Sequence, residues 1–248
     1  MEKEIKQAVW LSHQAYFDPE KIQANLMYRG FRNFEWIDNK YSDTQVILCT
    51  SKKNMFVIFR GTEVKNIKDW LTNLNCKFSP IIPWGEVHRG FYKDVESVYD
   101  EIQTYLVWHN LSKVVIGGHS QGAACATVFS AITPAFDAVV LPGCPRIFDN
   151  KAAKRFGEIH GHKVYRIVNN NDLVTRLPPR TWGYRHIEKA NLYYFKETGE
   201  CVHEISEWEV FKDRIHGRIL DIGEGGTDGI KDHDHAYYVE LVESLKNN

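Results

Sequence analysis

Short apolar runs alternate with segments of helical periodicity through the middle of the chain, and this alternation constrains the fold more than any other sequence feature. The runs KVVIGG, FDAVVLPG and HKVYRIVNN have the length and composition of buried strands. The segments between them, GAACATVFSAI and NKAAKRFGEI, have the pattern of helices. Strands that alternate with helices become parallel neighbours in one sheet. The sequence therefore predicts an α/β fold with a mostly parallel central sheet covered by helices on both faces.

The flanking parts of the chain add further predicted elements. Apolar spacing predicts a helix at the N-terminus, a second one from near Pro19, one long helix from about Phe91 to Trp108, and a terminal helix in HAYYVELVESLK. TQVILCTS and KNMFVIFRG are β-prone runs joined by a polar turn at 51–54, which predicts a hairpin or neighbouring strands. Because no repeat or linker divides the 248 residues, we expect one domain over 1–248.

Charge and composition narrow the classes of function. The chain has 31 basic and 32 acidic residues, without the basic stripe typical of a nucleic-acid-binding protein. No run approaches the roughly 18–20 apolar residues of a membrane span. The N-terminus lacks the apolar stretch and cleavage site of a secretory signal, so we expect a cytoplasmic protein by default, and a processed secreted form stays open. Five widely spaced cysteines favour buried free thiols over disulfides or a zinc site.

The segment from Gly118 to Gly122, GHSQG, fits the pattern G-x-S-x-G. A predicted strand precedes it and a predicted helix follows, which is the context of a nucleophile elbow. The turn lifts the Ser120 hydroxyl above the sheet edge, and the helix N-terminus beyond it places N–H groups near developing negative charge. A glycine-rich loop with no catalytic role is the alternative. The pattern in this context favours Ser120 as a nucleophile.

A serine nucleophile needs a histidine base and a carboxylate that orients it, in the chain order serine, acid, histidine. Asp172 follows a predicted strand and precedes a proline-rich turn, where the carboxyl edge of the sheet would lie. Asp137 and Asp149 compete, although the first falls in a predicted strand and the second precedes a predicted helix. The segment KDHDHAYY offers His233 and His235, and the residues alone leave both open. An HxH pair also binds metals, but no further ligand nearby supports a metal site, and we expect none.

The oxyanion of acyl transfer needs two N–H donors. One is expected from the backbone of Gln121, and the other from Thr62, which follows the predicted strand FVIFRG. Beyond Thr62, the stripe Ile67, Trp70, Leu71 and Leu74 has helical spacing, and we expect a candidate lid segment around 63–84. Ordinary core packing of this stripe is the alternative. The stripe and the nearby Trp84 favour an apolar substrate surface.

Six motifs in order resemble the class 3 lipases, the fungal-type triacylglycerol lipases of the α/β-hydrolase fold, from roughly Asn54 to the C-terminus. The resembling segments are VIFRGTE with DWLTNL, VHRGFYKDV, GHSQGAA, PGCPRIFDN, YRIVNNNDLVTRLPP and DHAYY. The resemblance implies an α/β-hydrolase fold, with Ser120 as nucleophile, Asp172 as acid, and Thr62 and Gln121 as oxyanion donors. It implies His235 as base, because the family has an aspartate before the histidine and an aromatic residue three positions after it. His233 remains the second choice.

The chain departs from the family pattern at several points. Gln121 replaces the usual leucine and Ala123 the second glycine of the family's GHSLGGA, so a polar side chain stands beside the expected acyl groove. The disulfides of the secreted fungal members are not reproduced by five cysteines, and the first fifty residues match only loosely.

The resemblance implies a lipase or esterase that needs no cofactor and acts on acylglycerols or other fatty-acyl esters. Phospholipids and short-chain or aromatic acyl esters are alternative substrates. A peptidase or thioesterase, and a non-catalytic binding protein, are the alternatives outside ester hydrolysis. The sequence leaves the oligomeric state open.

Overall fold

A computed structural model of the chain describes residues 1–62, 77–203, 205, 209 and 231–245. In this described part the helices are α1 (Glu2–Gln14), α2 (Pro19–Tyr28), α3 (Arg89–Glu96), α4 (Tyr99–His109), α5 (Gln121–Ile132), α6 (Asn150–His160) and α7 (His235–Ser244). The strands are β1 (Arg32–Asn39), β2 (Thr44–Ser51), β3 (Asn54–Phe59), β4 (Phe78–Ile81), β5 (Gly85–His88), β6 (Lys113–Gly118), β7 (Ala138–Pro142), β8 (Val164–Asn169), β9 (Asn191–Phe195) and β10 (Cys201–Val202).

Eight strands form the main sheet, in the order β1-β2-β3-β6-β7-β8-β9-β10. The five central strands from β3 to β9 are parallel, while β1, β2 and β10 pair antiparallel at the two edges. The predicted hairpin is confirmed, since Ser51 of β2 pairs with Asn54 of β3. The predicted α/β fold with a mostly parallel sheet is therefore confirmed.

Alternating side chains give the sheet two apolar faces. On β2, Val46 and Leu48 join the core beneath α3 to α6, whereas Ile47 and Cys49 face the helices α1, α2 and α7. This alternation is the period of two that a pleated strand imposes. Helices thus cover both faces, and the carboxyl ends of the parallel strands meet at one edge. Ser120 and Asp172 follow two of these strand ends, β6 and β8.

The long helix predicted from Phe91 to Trp108 is wrong in one respect, because the structure divides it into α3 and α4. The break lies at Ser97 and Val98. The Ser97 hydroxyl donates to the carbonyl oxygen of Asp94 at 2.6 Å, and the Ser97 carbonyl accepts from the Asn39 side chain at 3.0 Å. These contacts compete with the regular helical ladder.

Two other expectations concern the surface. Residues 63–76 of the candidate lid, with its stripe from Ile67 to Leu74, lie outside the described residues. Trp84 is half-buried: its indole N–H donates to the Ala131 carbonyl at 2.8 Å and its ring packs edge-on against Phe156. Within the described residues, no helix is long and apolar enough to cross a membrane.

Candidate active site

Ser120 lies in the turn between β6 and α5, so the strand and helix predicted around it are confirmed. Its backbone has φ 60° and ψ −124°, a strained conformation for a residue other than glycine. Gly122 permits the turn, because a Cβ atom there would lie 2.2 Å from the carbonyl oxygen of Phe59. A Cβ at Gly118 would lie 2.4 Å from the carbonyl carbon of Gly122. The two glycines thus let the turn pack directly against the end of β3, as a nucleophile elbow requires.

Asp172 is fully buried and accepts three hydrogen bonds. Its Oδ1 accepts from the backbone N–H of Val174 at 2.8 Å. Its Oδ2 accepts from the Tyr238 hydroxyl at 2.5 Å and from His233 Nδ1 at 2.8 Å. A buried carboxylate is stable only when such donors replace water. The loop after β8 therefore holds an anion in contact with one histidine.

The two competing aspartates have structural partners instead. Asp149 is the N-cap of α6 and accepts from the Ala152 backbone N–H at 2.7 Å, as its position before that helix predicts. Asp137 precedes β7 rather than lying within it, and accepts from the Val114 backbone N–H at 2.8 Å. Neither carboxylate is hydrogen-bonded to a histidine in the described part of the chain.

The histidine that contacts Asp172 is His233, whereas His235, the base that the resemblance implies, has other contacts. His235 Nδ1 lies 2.7 Å from Nδ1 of His13, a residue of α1, and its ring stacks on Tyr16 with centroids 4.1 Å apart. Burial, followed by the proximity of His13, lowers the pKa of His235 to about 4. His235 is thus a neutral imidazole held in the contact between α7 and α1.

Two aspartates fix which histidine reaches the acid. Asp234 is the N-cap of α7 and accepts from the Ala236 N–H at 2.8 Å, so His235 is already the first helical residue. Asp232 connects the turn before α7 to the loop that carries Asp172. Its carboxylate accepts a hydrogen bond from the Asn171 backbone N–H at 3.0 Å, and its backbone carbonyl accepts one from the Asn169 side chain at 2.9 Å. His233, between these anchors, is held against the loop that carries Asp172.

His233 and Ser120 also share an unusual property. The Nε2 atom of His233, the Oγ atom of Ser120 and the Nε2 atom of His119 are all buried, and none has a hydrogen-bond partner in the described structure. The His119 and His233 rings lie 4.5 Å apart, and a Cβ atom at Gly143, which has φ +62°, would lie 2.9 Å from His233 Cε1. Unpaired buried polar atoms are rare in folded proteins and concentrate at functional sites. The three atoms therefore make this region near the ends of β6 and β7 the candidate functional centre.

The expected oxyanion residues meet on the other side of Ser120. The Thr62 hydroxyl donates to the side-chain oxygen of Gln121 at 2.5 Å, and the Gln121 amide nitrogen lies 3.5 Å from a carboxylate oxygen of Asp94. Gln121 is the first residue of α5, where backbone N–H groups have no intrahelical partner. Burial raises the pKa of Asp94 to about 6. A small cavity of about 220 Å³ borders Thr62 and Gln121.

The N-terminal helix supplies residues that sequence reasoning missed. The Tyr16 hydroxyl lies 2.8 Å from His119 Nδ1, and a Cβ atom at Gly61 would lie 2.3 Å from that hydroxyl and 3.2 Å from the Ser120 Cβ. Burial lowers the pKa of His119 well below its ordinary range, and the neighbouring His233 adds to the effect. Tyr16 lies just after α1, in the part of the chain that the family motifs do not reach, so no motif signalled this contact. Tyr16 closes the centre on the side of α1.

The HxH pair and the cysteines have the following surroundings in the described residues. Over residues 1–62, 77–203 and 231–245, no three histidine, cysteine or carboxylate side chains are grouped to hold a metal ion. His233 and His235 contact different partners, Asp172 and His13. Cys49, Cys125 and Cys144 are buried free thiols and Cys201 is half-buried and free, while Cys76 lies outside the described residues.

Comparison with known proteins adds three kinds of finding. The family model described as Lipase (class 3) matches residues 56–182. A lipase of Rhizopus niveus is 28% identical, and the match covers 58% of this chain and 40% of the lipase. The secreted mono- and diacylglycerol lipase 1 of Fusarium solani is 32% identical, and the match covers 77% of this chain and 58% of that lipase. The chain thus spans about half the length of these relatives. A mutant form of MDLA from Penicillium cyclopium superposes with a TM-score of 0.72 at 17% identity, covering 98% of this chain and 97% of that one.

Proposed function

The chain belongs to the class 3 lipase family, and we propose that it is a serine ester hydrolase that works through an acyl-enzyme. In this proposal Ser120 is the nucleophile, His233 the base and Asp172 the orienting acid. The observation that carries the proposal is the hydrogen bond of 2.8 Å between His233 Nδ1 and Asp172. The His233 ring lies 4.5 Å from that of His119, the residue before Ser120 on the strained elbow. Because Nδ1 donates to Asp172, the free Nε2 carries the lone pair that a general base needs.

The reaction then follows from the state of each side chain. His233 Nε2 accepts the Ser120 proton as Oγ attacks the ester carbonyl, and Asp172 stabilises the resulting imidazolium. The same Nε2 returns the proton to the departing alcohol, and a water molecule activated by His233 releases the acid. Asp172 is fully buried, so its charge acts on His233 without screening by solvent.

The oxyanion binds to the backbone N–H of Gln121 and to Thr62 in this proposal. The Thr62 hydroxyl already donates to the Gln121 side chain, so that side chain fixes the threonine rotamer and the backbone N–H of Thr62 remains for the oxyanion. We expect a variant that loses Thr62 as a donor to lose roughly 10²–10³ in kcat.

Acylglycerols are the proposed substrate class. The Fusarium relative is named a mono- and diacylglycerol lipase, and the motif order of this chain is that of the same family. Phospholipids and short-chain or aromatic acyl esters remain alternatives for the same centre. That relative is also named as secreted, so the comparison gives no support to the cytoplasmic expectation, and secretion of a processed form is the favoured proposal.

The test compares the two histidines directly. Hydrolysis of p-nitrophenyl butyrate and palmitate is measured for the wild type and for Ser120→Ala, His233→Ala and His235→Ala. We expect Ser120→Ala and His233→Ala to lose at least about 10³ in kcat, while His235→Ala stays within about tenfold of the wild type. Full activity in Ser120→Ala would contradict the mechanism, and a reversed order of the histidines would return the base to His235.

A binding-only function predicts a different outcome. A fluorophosphonate probe forms a covalent bond with an activated serine and not with an ordinary hydroxyl. We expect one equivalent of label on Ser120 in the wild type and none in His233→Ala. A wild type that neither reacts nor hydrolyses either ester would favour the non-catalytic alternative.

A further inference from the structure

A cavity of about 540 Å³ lies over the strands β8 and β9, on the sheet face opposite α1 and α7. Its floor is formed by side chains that are paired in register across the two strands, Arg166 with Leu192 and Val168 with Tyr194. Its walls come from the segment between β8 and β9, including Thr175, His186 and Ile187. Helices cover the same face further along the sheet, at β6 and β7.

The described lining of this cavity is strongly cationic. It contains Arg146, Arg166, Arg176, Arg180 and Arg185, and its one described carboxylate belongs to the exposed Glu188. Burial lowers the pKa of His186 far below its ordinary range, and the next causes are the charges of Arg166, Arg146 and Arg180. The positive charges of these arginines therefore all affect His186, which lines the same cavity.

Arg166 stands at the centre of this cavity. It occupies the middle of β8, an interior strand, where apolar side chains are the rule. Its Nε atom is buried without a hydrogen-bond partner, and its side chain forms no ion pair with a described residue. Burial lowers the pKa of Arg166 to about 10, which leaves it charged at neutral pH. Arg166 is half-buried, and a cation in such a position without an ion pair to a described residue favours a bound anion.

The surrounding arginines are held in place by backbone contacts. Arg146 donates to the Pro178 carbonyl at 3.0 Å, and Arg185 donates to the carbonyls of Arg180 and Tyr184 at 2.8 Å and 2.9 Å. These carbonyl contacts fix the orientation of the guanidinium groups of Arg146 and Arg185, and each guanidinium has five N–H donors. The cationic lining is thus built into the fold.

We propose that this arginine cavity binds a phosphate group, either free or carried by a larger molecule such as a lipid headgroup. Phosphate offers oxygens in the geometry that guanidinium forks recognise, and several arginines around one space suit its charge. The cavity borders the loop that holds the acid, because the hydroxyl of Thr175 donates to the Asp172 carbonyl at 2.9 Å. The site is separate from Ser120 and does not depend on ester hydrolysis.

The test is calorimetric titration of the full chain carrying Ser120→Ala, so that no ester is consumed. The probes are inorganic phosphate, and dihexanoyl phosphatidic acid below its micelle concentration, with dihexanoylglycerol as the uncharged control. Arg166→Met removes the central charge and keeps an apolar stem. Arg32→Met is the matched control, because Arg32 lies on β1 at the far edge of the sheet. Arg180→Gln, an exposed position on the rim, covers the case in which Arg166→Met does not fold.

We expect saturable binding of phosphate or phosphatidic acid that weakens with added salt and falls at least about tenfold in Arg166→Met. Arg180→Gln should weaken it about threefold, and Arg32→Met should leave it unchanged. Tighter binding of phosphatidic acid than of phosphate identifies a lipid headgroup, and the reverse identifies free phosphate. Absence of binding, or equal binding in Arg166→Met, Arg180→Gln and Arg32→Met, overturns the proposal.

Discussion

Tyr238 joins the terminal helix to the acid of the proposed triad, and its hydroxyl has two partners. The side chain is 1% exposed. The hydroxyl donates to Asp172 Oδ2 at 2.5 Å and accepts from the Asn169 backbone N–H at 3.2 Å. Tyr238→Phe removes the hydroxyl and leaves the ring, so its effect reports on these two hydrogen bonds alone.

The expected loss of stability follows from the two partners. A hydrogen bond to a charged group contributes about 1.5–3 kcal/mol and one between neutral groups about 1 kcal/mol. We therefore expect Tyr238→Phe to lower the free energy of unfolding by about 2–4 kcal/mol, which corresponds to a fall in Tm of roughly 5–10 °C for a chain of this size. Asp172 keeps the hydrogen bonds from His233 and Val174, so we expect kcat to fall only about tenfold.

Thermal unfolding and the kcat for p-nitrophenyl butyrate are the two measurements. Tyr237→Phe is the matched control, since Tyr237 lies on the same helix and is 48% exposed. The control should stay within about 0.5 kcal/mol of the wild type. If Tyr238→Phe is as stable as Tyr237→Phe, the hydroxyl does not stabilise a buried Asp172 anion, and the reasoning fails.

Other substitutions test separate parts of the structure. Gly122→Ala should give no folded, active enzyme by circular dichroism and esterase assay, because the new Cβ would lie 2.2 Å from a backbone oxygen of β3. Gln121→Leu removes the acceptor of the Thr62 hydroxyl and should lower kcat about three- to tenfold in steady-state assays at unchanged KM. Burial raises the pKa of Asp94 from 3.8 to about 6. The folded protein therefore loses stability as the pH rises from about 4 to 6 and this carboxyl group ionises. Asp94→Asn removes the ionisation and should raise the urea midpoint at pH 7. Burial lowers the pKa of His88 from 6.5 to about 4, so the dependence of stability on pH has the opposite sign. The stability that is present above pH 6.5 is lost as the pH falls toward 4. His88→Gln should reduce that loss in urea titrations.

Five strands of the main sheet, β2, β3, β6, β7 and β8, could be predicted from the sequence because their signals are local, whereas β1, β9 and β10 were not predicted. The strands β6 and β7 are short apolar runs that are each followed by a helix, and the hairpin turn at 51–54 is polar. The division between α3 and α4 could not be predicted, because apolar spacing continues across Ser97 and Val98. The break depends on the contact of Ser97 with Asn39, which is 58 residues away along the chain. Periodicity contains no information on such contacts.

The choice between His233 and His235 could not be predicted for the same reason, because it also depends on contacts between residues far apart in the sequence. Both lie next to the start of α7, two residues apart, so spacing allowed either to face Asp172. The structure separates them through two contacts of high sequence separation: His233 with Asp172, and His235 with His13, which is 222 residues away. His13 belongs to the first fifty residues, where the family motifs do not reach. A contact with the part of the chain that matches the family only loosely therefore accompanies the pairing of His233 with the acid, and the family motifs contain no signal for it.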